Sequence, residues 1–399
     1  MKMRKLALYA LVCGWVFLNV NCGKDDDPNT TSDDVNPPVS EVFYNITQTT
    51  INDDAYTAPG ELSFLYSLNN GGSYTAEIPK DLSKGDELWV KINNGEVDIY
   101  EEDFYFDWSG SSIAPADTES DVAKFVIKES DLTISASVTD KVELLVSNRD
   151  TGQFYVLDLT DGGLTPAFTA MKTVEEPLIR IRGVVYNYND GQLYVSTTSF
   201  GADRSKLYSI DPTNFQAKLR NENNDENDNK IWEKITDLII SPENSILATL
   251  EIQFPFVSAL ASFDSSGLLN ESIDFNGDDF PCCGLGLTYG GSNQEIIVGT
   301  GNLDQIKIYK SNLTLTELEV MVLTMEGFSN ENPVDYEIRN LIHNDSGIIY
   351  ALLHEFSETT NTHIAQVDLE NNKLIHIHQI GTGGQQRYNG LAAIPAYAF

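Results

Sequence analysis

Ile181-Arg182-Gly183-Val184-Val185-Tyr186-Asn187-Tyr188-Asn189-Asp190-Gly191-Gln192-Leu193-Tyr194-Val195-Ser196 reads as a buried strand, an Asn-Asp-Gly turn and a second strand with apolar alternation. The plan recurs. Residues 237–247, 286–297 and 340–350 each hold an apolar strand, a turn of Pro, Gly, Asn or Ser, and another strand. A second element follows each copy: Tyr155-Val156-Leu157-Asp158, Tyr208-Ser209-Ile210-Asp211, Ala261-Ser262-Phe263-Asp264 and Ala365-Gln366-Val367-Asp368, with Ile308-Tyr309-Lys310-Ser311 in the remaining unit. Asp158, Asp211 and Asp264 are spaced 53 residues apart. Four-stranded units at such a period are the signature of a β-propeller.

The ends of the repeat region predict how the ring closes. Its first unit begins at Val142 without the motif's first strand, and Gly390-Leu391-Ala392-Ala393-Ile394-Pro395 is that strand, at the far end of the chain. The last strand should therefore complete the first blade and remove a free sheet edge. This gives five blades over residues 140–399, or six if a degenerate unit hides in 214–234 or 312–337.

Upstream, residues 41–138 hold short runs of period two at 61–66, 87–92, 104–108 and 123–127, separated by Asn-Gly and Lys-Gly-Asp turns. That spacing suggests a small Ig-like sandwich. Leu82-Ser83-Lys84-Gly85-Asp86-Glu87-Leu88 resembles the start of a strand in bacterial Ig-like modules. The fold class is thus all-β, an Ig-like β-sandwich followed by a β-propeller. Trp89, Trp108, Tyr105 and Tyr100 could line a platform for a sugar ring, although aromatic residues in strands more often fill a core.

Composition bounds the rest. A hydrophobic content of 41% is that of a globular chain, and a formal charge of −35 excludes a general nucleic-acid binder, which needs a basic face. Only Cys282 and Cys283 of the four cysteines fall in the folded part, so packing rather than a disulfide framework holds it together.

The first 21 residues have a basic start (Lys2, Arg4, Lys5) and an apolar run from Leu6 to Val20, the pattern of a secretory signal. Cys22 closes that run as in the lipobox of bacterial lipoproteins, with Asn21 where that motif has a small residue. Lys24-Asp25-Asp26-Asp27 resembles the surface-export signal of lipoproteins from the Bacteroidota. The resemblance implies lipidation at Cys22, an outer-membrane anchor facing the cell exterior, and a flexible acidic tether over 22–40. Without residues 1–21 the chain carries 22 Lys and Arg against 60 Asp and Glu, a formal charge of −38.

Propellers usually bind at the mouth of the central channel, where the innermost strands start. Aligned on the repeat, those positions hold Arg180, Arg182, Lys234, Cys283, Glu337, Arg339 and Arg387. Five basic residues at one mouth suit an anionic group, since guanidinium binds carboxylate, sulfate or phosphate through paired hydrogen bonds. A uronic acid or an acidic segment of a partner would fit. The same residues could instead pair with neighbouring Asp and Glu. Adjacent Cys282 and Cys283 could close a vicinal disulfide, a stiff, flat surface at the same mouth. Such a ring caps the cofactor of quinoprotein propellers, but no cofactor motif accompanies it here, and none is expected.

All five histidines fall in the last blade, and His376-Ile377-His378 has a spacing that can ligate zinc, with His363 as a third ligand. Exposed strand histidines are the simpler expectation. The run 223–229 is acidic enough for calcium but lacks the EF-hand glycine and spacing. No nucleophile elbow, phosphate loop or metalloprotease helix is present. The expectation is a non-catalytic surface lipoprotein that captures a glycan or serves as an accessory subunit of an outer-membrane complex. The alternative is a secreted hydrolase or lyase with its site at the channel mouth.

Overall fold

Two sheets of three strands face each other over one apolar core. One runs β1 (Ile46–Ala55), β6 (Leu132–Asp140), β4 (Phe104–Gly110); the other runs β2 (Leu62–Ser67), β3 (Glu87–Asn94), β5 (Val122–Val126). Alternation builds them: along β6 every second side chain is buried, from Leu132 through Ile134, Ala136 and Val138 to Asp140. β1 joins β6 in parallel, which two of its hydrophobic residues, Ile46 and Ile51, pack onto the core. The computed structural model describes residues 42–398 except 69–70, 97–98, 101–102, 112–119, 129, 199–204, 222–233, 253–256, 265–266, 268, 275–283, 291–294, 302–303, 317, 345–346, 357–359 and 385, and gives only the backbone of 54, 221, 252, 257, 269–274, 284–285 and 356.

Trp108 does not join a surface platform. It is buried against Phe64 and Phe125, and its Nε1–H donates to the Ser120 carbonyl at 2.6 Å. Trp89 lies in the β2–β3–β5 sheet beneath the Lys124 ammonium, while Tyr105 lies in the other sheet beneath Lys141. The alternation that fills the core from one face of each strand thus parts the aromatic residues into separate surroundings.

From Val142 onward the sheets change character. Four-stranded antiparallel sheets follow one another. The first is β26 (Tyr388–Pro395), β7 (Val142–Asn148), β8 (Gln153–Leu157), β9 (Leu164–Thr169). The second is β10 (Ile181–Asn187), β11 (Gln192–Thr197), β12 (Lys206–Ile210), β13 (Ala217–Asn221). The third is β14 (Lys234–Ile240), β15 (Ile246–Ile252), β16 (Val257–Phe263), β17 (Leu269–Asp274). The fourth is β18 (Gly284–Tyr289), β19 (Glu295–Thr300), β20 (Ile306–Asn312), β21 (Leu318–Glu326). The fifth is β22 (Tyr336–His343), β23 (Ile349–Phe356), β24 (Thr360–Asp368), β25 (Lys373–Gly381). A short parallel pairing of Thr324–Glu326 with Lys373–Ile375 ties the outer strands of the last two.

The innermost strands close a ring, β26 on β10, β10 on β14, β14 on β18, β18 on β22 and β22 on β26. Among the described residues this is a propeller-like arrangement of five blades, and the strand carrying Gly390–Pro395 completes the first of them as the repeat predicts. Its register sets Leu391 opposite Val146 and Ile394 opposite Glu143. Of the two stretches that might have hidden a sixth unit, one opens with β13 and the other holds β21 and a 3-10 turn at Pro333–Asp335.

The inner strands are buried on both faces, which is why they read as unbroken apolar runs. Five separate apolar clusters fill the seams between neighbouring blades, and each contains one residue from the same repeat position: Val184, Leu238, Leu287, Leu341 or Leu391. The repeated Asp residues are turn formers. The carboxylates of Asp158 and Asp211 accept from the backbone N–H and hydroxyl of Thr160 and Thr213, and Asp368 accepts from Asn371. The 53-residue period is therefore a record of hairpin geometry, not of chemistry.

From Phe43 onward the sandwich and the ring belong to one compact unit. The sheets change at Lys141, between β6 and β7. The Ala396 N–H donates to the Lys141 carbonyl, Tyr397 stacks on Phe104 at 5.6 Å, and its hydroxyl meets Thr57 Oγ1 at 2.7 Å.

Candidate functional site

Every inner strand carries a β-bulge near its start: between Ile181 and Val184, Ile235 and Asp237, Gly284 and Gly286, Ile338 and Asn340, and Asn389 and Leu391. A bulge bends its strand and re-aims the side chains beside it. The ring of bulges separates two levels of the channel.

The residues at the bulge level are Gly183, Asp237, Gly286, Asn340 and Gly390, one from each blade. The glycines leave room. A Cβ on Gly183 would stand 2.8 Å from the Asp237 backbone, and one on Gly390, whose φ is +68°, would stand 2.3 Å from Val184. Into that room reach two polar side chains, with Asp237 only 1% exposed. Asp237 Oδ1 accepts from its neighbour Leu238 N and from Asn340 Nδ2 at 2.7 Å; Oδ2 accepts from Leu287 N at 2.8 Å and Leu341 N at 3.2 Å. Asn340 Nδ2 also donates to the Arg182 carbonyl, and Gly390 N donates to Asn340 Oδ1. Two side chains thus join all five blades at the axis.

Burial pushes the Asp237 carboxyl up to about 8, against the pull of the four N–H donors that favour its charged form. A folded-state value above the unfolded one near 4 means that the native protein holds this proton more tightly. Its contribution to stability should be greatest below about pH 4, fall as pH rises towards 8, and stay level above. His354 and His363, whose folded values are lowered, act in the opposite sense. Urea midpoints at pH 5 and pH 9 for the native protein and Asp237→Asn separate the two: only the native protein should show the falling component.

Above this plug, at the start of the inner strands, the sequence-predicted cations converge. Arg182 is 5% exposed and lies 3.7 Å from Glu337 Oε1, while Arg339 pairs with Glu337 Oε2. Lys234 is held by Glu251 at 3.0 Å. Arg180 and Arg387 form a corner with a sixth cation, Arg149, that the repeat alignment missed. Arg149 N donates to the Arg387 carbonyl and Arg180 N to the Arg149 carbonyl, with Arg180 at φ +62°. Arg149 lies in the β7–β8 turn rather than at an inner strand's start, so nothing in the repeat pointed to it.

The crowding has electrostatic consequences. Burial holds the Arg149 guanidinium below its ordinary value, as do the fields of Arg387, Arg182 and Arg180, with Asp150 pulling the other way. Burial lowers Arg339 to about 10, Glu337 opposing and Arg182 and Arg149 adding to the shift. Beneath them His354 is held well below its usual range by burial and by Arg339, and its Nε2 meets the Tyr388 carbonyl at 2.8 Å. Among the described residues, six cations face two buried carboxylates here, and the buried Nε atoms of Arg182 and Arg387 have no hydrogen-bond partner. Lys234, Arg182 and Arg339 pair with carboxylates, and like charge is concentrated where Arg149, Arg180 and Arg387 meet. Cys22, Cys282 and Cys283 lie outside the described residues, as does the acidic run 223–229.

The histidines do not assemble as a zinc site. The bulge between Ile364 and Ala365 pairs His376 with Ala365 and His378 with Ile364, leaving Ile377 without a partner. His376 then meets His363 at 3.2 Å, while His378 reaches the Leu159 carbonyl of the first blade. Nor are they plain exposed strand residues, since His363 is buried against Glu355 and Tyr336. No group of three potential metal ligands occurs among the described residues.

No protein-family description and no curated protein matches the chain. Solved structures similar to it include two GH43 β-1,3-galactosidases. One, 10% identical with a TM-score of 0.45, aligns with 59% of this chain and 56% of its own. The other, with galactodeoxynojirimycin, is 10% identical with a TM-score of 0.43 over 62% of this chain and 92% of its own. A gluconolactonase from Xanthomonas campestris is 12% identical, covering 77% and 82% of the two chains with a TM-score of 0.38. Likenesses this distant carry no argument about chemistry, and the fold rests on the strand pairing above.

Proposed function

We propose that this protein is a lipid-anchored binding protein of the outer membrane, held at Cys22 and facing the cell exterior, that captures a ligand carrying an anionic group at the channel mouth. Its first layer is read as an Ig-like spacer between the tether and the ring. The observation that carries the binding function is the corner of Arg149, Arg180 and Arg387, joined through their backbones, with Arg182 buried beside it. Like charges brought together at a half-buried site cost free energy that an incoming carboxylate, sulfate or phosphate offsets. Binding needs only these cations. Catalysis would need a carboxylate able to exchange a proton with a substrate, and Glu251 and Glu337 are both held by cations.

Acidic oligosaccharides are the ligand class that suits a surface-exposed receptor with this mouth, and an accessory role beside a barrel protein is compatible with it. Calorimetry with galacturonic acid oligomers tests the reading. Arg180→Ala and Arg387→Ala should each weaken binding roughly 10- to 100-fold, the loss of a charge-assisted hydrogen bond of about 1.5–3 kcal/mol. Unchanged affinity in both variants, or no binding of any acidic oligomer by the native protein, would remove it.

A further inference from the structure

Three of the arginines at the mouth hold donors that no described residue uses. Among the described residues the side chains of Arg180 and Arg387 make no ion pair and no hydrogen bond, and Arg182 has only its pairing with Glu337. That pairing is long. Arg182 is 5% exposed, yet the Glu337 oxygen lies 3.7 Å away, beyond hydrogen-bond reach. Glu337 is engaged by Arg339 through its other oxygen, and Glu251 by Lys234. The Nε atoms of Arg182 and Arg387 are enclosed, so what each side chain can offer a ligand is its two terminal nitrogens, a fork of paired N–H groups. All three arginines gather around Arg149, whose peptide N–H and carbonyl bond the Arg387 and Arg180 backbones and whose guanidinium feels the charge of each.

We infer, resting on the anion-binding reading of this mouth, that it selects a tetrahedral ester oxyanion, a sulfate or phosphate monoester of a sugar, over the carboxylate of a uronic acid. The number of acceptors decides. A carboxylate has two oxygens with about four lone-pair sites, which two guanidinium forks already fill. A monoester has three terminal oxygens, one for each of the three forks at Arg180, Arg182 and Arg387. A bound carboxylate would therefore leave one guanidinium beside it unanswered, at a position where burial and like charge make that costly. Shape points the same way. A carboxylate confines its acceptors to one plane, whereas the tetrahedral group spreads them, which suits forks arriving from the starts of two different strands, β10 and β26.

Glucose 6-sulfate and glucuronic acid each carry a single negative charge at neutral pH, so calorimetry with both on the full chain separates shape from charge. The sulfate ester should bind roughly tenfold tighter, through the additional charge-assisted hydrogen bonds. Glucose 6-phosphate, measured beside them, tells which of the two esters the mouth prefers. Arg180→Lys and Arg387→Lys keep the charge but replace a fork by a point donor, and in each the ratio of the sulfate ester's affinity to that of glucuronic acid should fall towards one. Either variant serves if the other fails to fold. Glucuronic acid binding as tightly as glucose 6-sulfate, or a ratio unchanged in the folded variants, would overturn the proposal and leave the anion-binding reading standing. If none of the three sugars binds while galacturonic acid oligomers do, the proposal again falls alone; if the oligomers fail as well, the reading falls with it.

Discussion

Asn340→Asp, a change of one atom's chemistry at constant shape, is expected to cost about 3–5 kcal/mol of folding stability at neutral pH. The native amide gives its two hydrogens to Asp237 Oδ1 and the Arg182 carbonyl, and its oxygen accepts from Gly390 N. Aspartate keeps the last bond and turns the other two into contacts between acceptors, one of them a carboxylate 2.7 Å away in the Asn340 geometry. Each buried acceptor left without its donor costs on the order of 1–3 kcal/mol, and two carboxylates cannot both ionise at this separation. One proton shared between them limits the conflict, and because burial holds that proton on Asp237 up to about pH 8, the loss should grow as pH rises from 7 to 9. Urea unfolding at pH 7 and pH 9 measures both effects. A variant as stable as the parent at pH 7 would mean that the axis does not hold the blades together.

The second large effect concerns Glu337, whose carboxylate lies between Arg182 and Arg339. Glu337→Gln leaves two buried guanidinium groups without their shared counter-ion, and breaking such a pairing costs about 3–5 kcal/mol. The same change makes the mouth more positive, so acidic oligomers should bind more tightly than to the native protein while the fold is weaker. Sulfate should then raise the melting temperature of the variant more than that of the native protein, because an anion binding only the folded form stabilises it by mass action. Equal sulfate effects on both would indicate that the cations at the mouth are satisfied without Glu337.

The blades were legible in the sequence because they depend on local signals. Apolar runs, turn residues and the recurring Asp each act within a few positions, and the missing first strand at Val142 showed how the ring closes. β1 was not foreseen, since only Ile46 and Ile51 of its ten residues pack onto the core and its pairing with β6 joins residues some 85 apart. The channel mouth was legible in outline because repeat position carries over into three dimensions. The plug was spelled out too, as Gly183, Asp237, Gly286, Asn340 and Gly390 at one repeat position, but each looks like an ordinary strand residue. Only the ring shows that three glycines clear space for two polar side chains. The separation of His376 from His378 depends on a bulge, and a single inserted residue leaves no mark in an alternating pattern.

The first blade is assembled from strands that are distant in the chain. The Ser147 hydroxyl donates to the Asn389 carbonyl across 242 residues. Ribosomal synthesis therefore delivers β7, with one edge unpaired, long before its inner neighbour exists. Contacts of such high sequence separation are slow to form and leave intermediates with open sheet edges. Four blades can gain their own hairpins as they appear, but none of them can settle into a closed circle until Tyr388–Pro395 arrives. The ring's integrity is thus decided in one late step, and damage to eight residues would be felt by all five blades.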